Sequence, residues 1–210
     1  GHFRRQGLRE VTLAGKIFKT KLFQRGAFLH HIPDLRTFVT FFRHFLTSRG
    51  NRRDDTLLLT LVNEFAKDGL RIAAATDFAP ELLVKFTQLT RRAPTASEVA
   101  DIEYGWTLAK EIGRHDVGQC VVVKGRTAVA VEAIEGTDAC IERAGQLCRS
   151  GGLTVVKVAK PAQDMRFDVP TIGLGTLETL VRSGARCLAV EPDVILMDEP
   201  ASALAPRINS

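Results

Sequence analysis

The chain lacks most of the signatures by which catalytic and membrane proteins are recognised. Its four cysteines, Cys120, Cys140, Cys148 and Cys187, include no Cys-x-x-Cys pair. Three of them fall in expected strand or helix interiors, so they read as reduced core thiols of a cytosolic protein. No apolar run approaches the ~18 residues that a membrane-spanning helix needs, and no signal peptide is recognisable. No Ser-His or Cys-His arrangement suggests an activated nucleophile. Gly15-Lys16 lacks both the upstream glycine and the following Ser or Thr of a Walker-type phosphate loop. His30, His31 and His44 have no metal-ligand partners in the sequence and suit surface or capping roles. The chain opens on Gly-His-Phe-Arg-Arg with no methionine, which leads us to expect further residues upstream.

What is present is an ordinary globular composition over 210 residues, enough for one large domain or two small ones. The formal net charge of +5 favours anionic ligands or an anionic membrane surface. The basic residues are concentrated between residues 16 and 53, where Lys16, Lys19, Lys21 and Arg25 lead a stretch interleaved with Phe18, Phe23, Phe28 and Phe38. Such a mixture suits single-stranded nucleic acid, a membrane surface, or simply a helix with a phenylalanine core face. An amphipathic helix is expected from Asp34 to Leu46.

Around that stretch the pattern alternates between strand and helix. Glu10 to Ala14 reads as a strand. Asp54-Asp55 opens a helix carrying Leu57, Leu58, Leu61, Val62 and Phe65, which Gly69 ends. Leu70 to Ala74 resumes as a strand, so the order implies a parallel α/β layer. Residues 76 to 94 read as a loop-rich connection with one short helix. Thr95 and Glu98 then form a capping box for a helix whose apolar face is Val99, Ile102, Trp106, Ala109 and Ile112. Gln119 to Lys124 and Thr127 to Ala133 form a hairpin around Gly125. The next helix, capped by Thr137 or Asp138, carries Ile141, Ala144 and Leu147. A strand from Leu153 to Val158 follows, then a short helix with Leu177, Leu180 and Val181, and a strand from Arg186 to Val190.

The chemistry gathers in the second half. Glu132, Glu135, Gly136, Thr137 and Asp138 form an acidic turn at a helix start, where free backbone N–H groups and the helix dipole favour an anion. The strand from Leu153 delivers Lys157 and Lys160 to its end. Pro161 and Pro170 then bracket a segment disfavoured for helix. If that segment is extended, Asp164, Arg166 and Asp168 share one face and Met165, Phe167 and Val169 the other. Lys16 and the pair Asp54 and Asp55 lie upstream. Carboxylates that hold a hard divalent cation, beside cations that hold phosphate oxygens, suit metal-assisted phosphoryl or diphosphate chemistry. A salt-bridged sheet edge explains the Asp164–Asp168 strip equally well.

Three long runs carry a resemblance. They are Asp116-Val-Gly-Gln-Cys-Val-Val-Val, Ala130-Val-Glu-Ala-Ile-Glu-Gly-Thr-Asp138, and Val156-Lys-Val-Ala-Lys-Pro-Ala-Gln-Asp-Met-Arg-Phe-Asp-Val-Pro170. In this order they closely resemble the LpxI-type UDP-2,3-diacylglucosamine diphosphatases. Val11-Thr-Leu-Ala-Gly-Lys16, Asp54-Asp55 and Arg91-Arg-Ala-Pro94 resemble the same family's first domain, so the likeness spans roughly residues 7 to 191.

The resemblance implies an α/β fold of two small α/β domains. The N-terminal one is an incomplete Rossmann-like parallel layer over residues 1–114. The C-terminal one is a catalytic mixed sheet with helices over 115–191, followed by an atypical tail at 192–210. It implies Mg2+-dependent hydrolysis of UDP-2,3-diacylglucosamine to UMP and 2,3-diacylglucosamine 1-phosphate (lipid X) in lipid A synthesis. It further implies a cytoplasmic homodimer peripheral to the inner membrane, with no nucleic-acid partner. The catalytic aspartate would be Asp164 or Asp168, the same two carboxylates would hold the metal, and Arg166 would stabilise transition-state charge. Lys16, Asp54, Asp55, Glu132, Glu135, Gly136, Thr137, Asp138, Lys157 and Lys160 would bind substrate.

Both ends depart from the family. Its opening glycine-rich strand-turn is absent. After Ala189-Val-Glu191 the chain runs Pro192-Asp-Val-Ile-Leu-Met-Asp-Glu-Pro, which is similar to a Walker B strand ending in Asp198 and Glu199. Ala205 replaces the aspartate expected there, and the partner motifs of an ATPase are missing. The tail therefore reads as a terminal strand with a polar end.

Overall fold

The computed structural model describes residues 6–12, 54–84, 88–161, 163–166, 169–192 and 195–196, with backbone alone for 54–58 and 195–196. The helix expected at 34–46, the basic aromatic stretch, Lys16 and Asp168 lie outside these residues.

The first layer is small. β1 (Glu10–Thr12) and β2 (Arg71–Ala73) pair in parallel, with Glu10 opposite Arg71, and α1 (Asp54–Lys67) precedes β2 in the chain. This is the expected strand-helix-strand order. Arg71 and Glu10 form an ion pair across the two strands. Gly69 adopts positive φ (74°) just after α1, a conformation glycine enters without Cβ strain, and the chain reverses there. Leu70, Ile72 and Ala73 are buried. Two short 3-10 turns, Ala75–Asp77 and Pro80–Leu82, follow where one short helix is expected.

The main body is a four-stranded mixed sheet with helices on both faces. Its order is β4 (Thr127–Val131), β3 (Cys120–Lys124), β5 (Leu153–Lys157), β7 (Ala185–Val190). The β3–β4 and β3–β5 pairs are antiparallel and β5–β7 is parallel. The period-2 alternation sends one set of side chains to each face. Cys120, Val122, Leu153 and Val155 pack with Cys140, Ile141 and Ala144 of α3 (Thr137–Leu147) and Leu180 of α4 (Leu174–Arg182). Val121, Val123, Val156 and Val158 pack against α2 (Ala96–Arg114). Strands covered on both faces explain why β3 and β5 read as near-continuous apolar runs. A second parallel pair, β6 (Thr171–Ile172) with β8 (Ile195–Leu196), flanks the sheet.

α2 carries the expected capping box. Glu98 N–H donates to Thr95 Oγ1 at 3.3 Å and Thr95 N–H donates to Glu98 Oε2 at 2.8 Å. Its buried face, however, is Asp101, Gly105, Ala109 and Gly113, while Val99 is exposed. A Cβ on Gly105 would lie 2.8 Å from Val156 Cγ2 and 3.0 Å from Val123 Cγ2. The helix therefore seats on the sheet through its small residues, and Trp106 and Ile112 pack at the side of the contact. On the other two helices Ile141, Ala144 and Leu180 are buried as expected, but Leu147 is 67% exposed and Val181 is 78% exposed, outside the contact with the sheet. The α3 N-cap is Gly136 with no side-chain cap; Thr137 is engaged elsewhere.

Candidate functional site

β5 ends at Lys157, and the polar cluster begins there. Lys157 is only 5% exposed. Its ammonium donates to Thr137 Oγ1 at 2.9 Å and to the Thr171 carbonyl at 2.9 Å. The Thr137 hydroxyl donates in turn to Glu132 Oε1 at 3.0 Å. Glu132, also buried, accepts the Gln119 N–H on Oε2 at 3.2 Å. An ammonium has three protons. Among the described residues only two of those on Lys157 meet protein acceptors. Lys157 also joins the end of β5 to the start of β6, so it stitches the base of the 158–170 segment.

Glu132 is held in place by its backbone neighbour. A Cβ at Gly118 would overlap the Glu132 carbonyl, so only glycine lets the turn before β3 lie against the end of β4. That explains the glycine in Asp116-Val-Gly-Gln in terms of packing.

The segment after β5 is fixed from several sides. The Val158 N–H donates to the Gln119 carbonyl at 3.0 Å. The Ala159 N–H donates to Glu191 Oε2 at 2.7 Å, and its carbonyl accepts Lys110 Nζ at 2.9 Å. Lys110 and Glu191 are themselves an ion pair, with N–O distances of 2.7 and 2.6 Å. Lys160 Nζ meets Asp116 Oδ1 at 2.5 Å, with both side chains mostly buried. Asp116 adopts positive φ (56°), which aspartate tolerates better than most residues. The Gln163 side chain accepts the Lys160 N–H at 2.7 Å.

Asp164 and Arg166 follow. The Arg166 N–H donates to Asp164 Oδ1 at 3.1 Å, and its guanidinium donates to both carboxylate oxygens at 2.5 to 3.1 Å. Met165 and Arg166 form a turn. The two charged residues share a side because the aspartate carboxylate closes on the backbone two residues on, as in an Asx turn. β alternation is not the cause. The side-chain hydrogen bonds from Arg166 hold the Asp164 carboxyl below its usual range, outweighing partial burial. Asp164 is thus ionised at neutral pH.

The other expected residues are placed as follows. Glu135 pairs with Arg143 at 2.6 Å, and its carboxyl is held low by its own backbone N–H, then by Arg143 and the Ala133 N–H. Gly136 sits at the α3 start with φ 89°. Asp138 accepts the Thr176 hydroxyl at 2.7 Å, joining α3 to α4. Asp54 and Asp55 are the first residues of α1, and their side chains lie outside the description. Glu132, Thr137 and Lys157 are therefore brought into one cluster, and Asp164 with Arg166 into another that follows from the same strand end. Glu135 and Asp138 tie α3 to its neighbours.

Lys110, Asp116, Gln163 and Glu191 are the residues that sequence reading does not single out. Asp116 and Gln163 stand inside runs that carry the family resemblance, and Glu191 is the last residue before the chain departs from it. The pairing of Lys110 with Glu191, 81 positions apart, has no local pattern. For a divalent cation the donor chemistry is that of Asp164, a hard oxygen donor kept ionised. Among the described residues no group of three or more His, Cys, Asp and Glu side chains could hold a metal. A cation here would share its coordination with a ligand's phosphate oxygens, as magnesium commonly does.

Two family models match the chain in succession. The LpxI N-terminal domain model matches residues 1–82 and the LpxI C-terminal domain model matches residues 85–207. The UDP-2,3-diacylglucosamine pyrophosphatase LpxI of Caulobacter vibrioides is 31% identical over 210 residues, covering 96% of this chain and 72% of that protein. With both domain models matched in order and one relative aligned across 96% of this chain, the chain belongs to the LpxI family.

Proposed function

We propose that this chain hydrolyses the diphosphate of UDP-2,3-diacylglucosamine, with Mg2+, to UMP and 2,3-diacylglucosamine 1-phosphate. The observation that carries the reading is the buried Lys157 ammonium, one of whose protons has no acceptor among the described residues, one strand end away from the Asp164–Arg166 turn. The name of the Caulobacter relative supports the substrate. In this reading Lys157 donates its remaining proton to a phosphate oxygen. Thr137 and Glu132 hold the ammonium in place, where it acts without reorganisation. Arg166, whose Nη1 group is uncommitted among the described residues, stabilises the negative charge that grows on the phosphate. Asp164, held in its charged form, is a weak proton acceptor and suits orienting water or a cation. Asp164 and Asp168 are the carboxylates that would hold Mg2+, which when bound neutralises phosphate charge and lowers the pKa of water.

Incubation with UDP-2,3-diacylglucosamine and magnesium should release UMP and lipid X. Asp164→Ala should lower that rate by roughly 10³-fold. Substrate binding with no turnover in the natural chain would sink the enzyme reading in favour of a non-catalytic, ligand-binding member of the family.

The same proposal places the chain, as a homodimer, at the cytoplasmic surface of the inner membrane, with the basic aromatic 16–53 stretch facing lipid. Among the described residues no helix is long and apolar enough to cross a membrane, so association would be peripheral. Charge reversal of Lys21 and Arg25 should weaken co-sedimentation with anionic liposomes; unchanged co-sedimentation would rule that wall out.

A further inference from the structure

Every polar group of one residue is captured by a single ion pair. The Ala159 N–H donates to Glu191 Oε2 at 2.7 Å and the Ala159 carbonyl accepts Lys110 Nζ at 2.9 Å. Lys110 and Glu191 face each other at 2.6 Å and are both partly buried. Ala159 is itself buried and has no side-chain polar atom. It stands two residues beyond Lys157 and five before Asp164. The three elements that meet here come from different parts of the fold. Lys110 rides on the last turns of α2, Glu191 is the first residue after β7, and Ala159 leads out of β5. The Glu191 backbone N–H also donates to the Lys157 carbonyl at 3.1 Å. Glu191 therefore extends the β5–β7 pairing by one step with its backbone and by a further step with its side chain.

An ion pair that served only to fasten α2 to β7 would need no contact beyond its own. This one touches directly and also takes up the backbone N–H and carbonyl of Ala159, each meeting the charge of the complementary sign. We propose that Lys110 and Glu191 are positioning residues: together they lock the backbone at Ala159 and so set where the Asp164–Arg166 turn stands relative to Lys157. The consequence for turnover rests on the diphosphatase reading above; the consequence for the backbone does not. A displacement of about 1 Å in a reacting group can cost on the order of 10²-fold in rate, so a looser Ala159 should be visible in catalysis before it is visible in substrate binding.

The test uses the full chain with Lys110→Met, Glu191→Gln, and the exchanged pair Lys110→Glu with Glu191→Lys. The exchanged pair keeps the ion pair but presents an ammonium to the Ala159 N–H and a carboxylate to its carbonyl, so both contacts become repulsive. Amide hydrogen exchange is followed at Ala159, with the β3–β4 hairpin as internal reference. Exchange at Ala159 should accelerate by roughly tenfold or more in all three variants, while the hairpin is unmoved. In the UMP-release assay kcat should fall about tenfold in each with KM within about twofold, and the losses of the two single variants should not multiply, because the pair acts as one unit. Restoration of natural exchange and natural kcat by the exchanged pair would overturn the proposal, since it would show a fastening role alone. Unchanged exchange at Ala159 in Glu191→Gln would overturn it as well. If the natural chain releases no UMP, the diphosphatase reading fails, and the exchange measurements still decide whether the ion pair holds the backbone.

Discussion

The two ends of the central sheet handle buried polar groups differently. At the hairpin end the charged ones are committed to the protein itself, while the Thr154 hydroxyl, buried opposite Val123, has no partner among the described residues. Asp101 of α2, nearly fully buried, accepts the Gly125 N–H at 3.2 Å and the Arg126 N–H at 2.6 Å. Those two residues both have positive φ, 58° and 55°, as a type I′ turn requires. Lys124 donates to Ser150 Oγ, the Gly151 carbonyl and Cys148 Sγ, which engages all three of its protons. At the other end, among the described residues, Lys157 has two acceptors for three protons and the guanidinium on Asp164 has its Nη1 group without a partner. As far as charged groups go, the same sheet thus has a finished end and an end with hydrogen-bonding capacity to offer. That difference, more than the number of charges, is what separates a structural polar cluster from a candidate site.

The contrast can be broken most directly at the two lysine and aspartate positions. Lys157→Met should lower diphosphatase turnover per folded molecule by ~10²-fold, on top of the stability lost with its bonds to Thr137 and the Thr171 carbonyl. Lost stability with full turnover per folded molecule would make both ends structural. Asp101→Ala should affect stability alone. It strips the turn of charged acceptors for two N–H groups and should cost about 2 kcal/mol in urea denaturation, with turnover per folded molecule unchanged.

A smaller effect belongs to the same finished end. Arg92 pairs with Glu98 at 2.7 Å and donates to the Arg186 carbonyl at 2.6 Å, tying the start of α2 to the start of β7. Hydrogen bonds from Arg92, with those from Thr95, hold the Glu98 carboxyl at about 2, against an ordinary 4.5. A carboxyl lowered on folding stabilises the protein above its unfolded value and loses that contribution as pH falls through the folded one. The natural chain should therefore be more stable than Glu98→Gln at neutral pH, and the gap in thermal midpoint should close as pH falls from about 4.5 to about 2. A gap that persists across that window would mean the contribution comes from shape, not charge.

How much of this was legible in the sequence follows from the range of each interaction. The capping box at Thr95 and Glu98, the hairpin about Gly125 and the β1–α1–β2 order are set by neighbours in sequence, and they stand where local pattern puts them. The buried face of α2 was legible in part: Ala109 is buried and Trp106 and Ile112 pack on the core as expected, but hydrophobic periodicity follows large residues and passes over Gly105 and Gly113. Leu147, Leu177 and Val181 fit a helical period and yet face outward, since period alone does not say which side the sheet occupies. Asp164 and Arg166 were visible because they touch across two residues. The Glu132–Thr137–Lys157 chain was visible only as an acidic turn and a separate strand-end lysine, and the Lys110–Glu191 pair not at all. Long-range contacts of this kind leave no spacing to read.

The bond from Lys157 to the Thr171 carbonyl joins residues 14 positions apart. Seen as a polymer, the intervening stretch is a loop whose mouth is shut by a side chain and not by strand pairing. The entropy of closing such a loop grows only logarithmically with its length, by about 0.6 kcal/mol for each doubling. Closure by itself therefore sets little limit on the length of the stretch. What fixes its length is the set of anchors inside it, at Val158, Ala159, Lys160 and Gln163, so that Asp164 is carried on a braced arm and not on a tether.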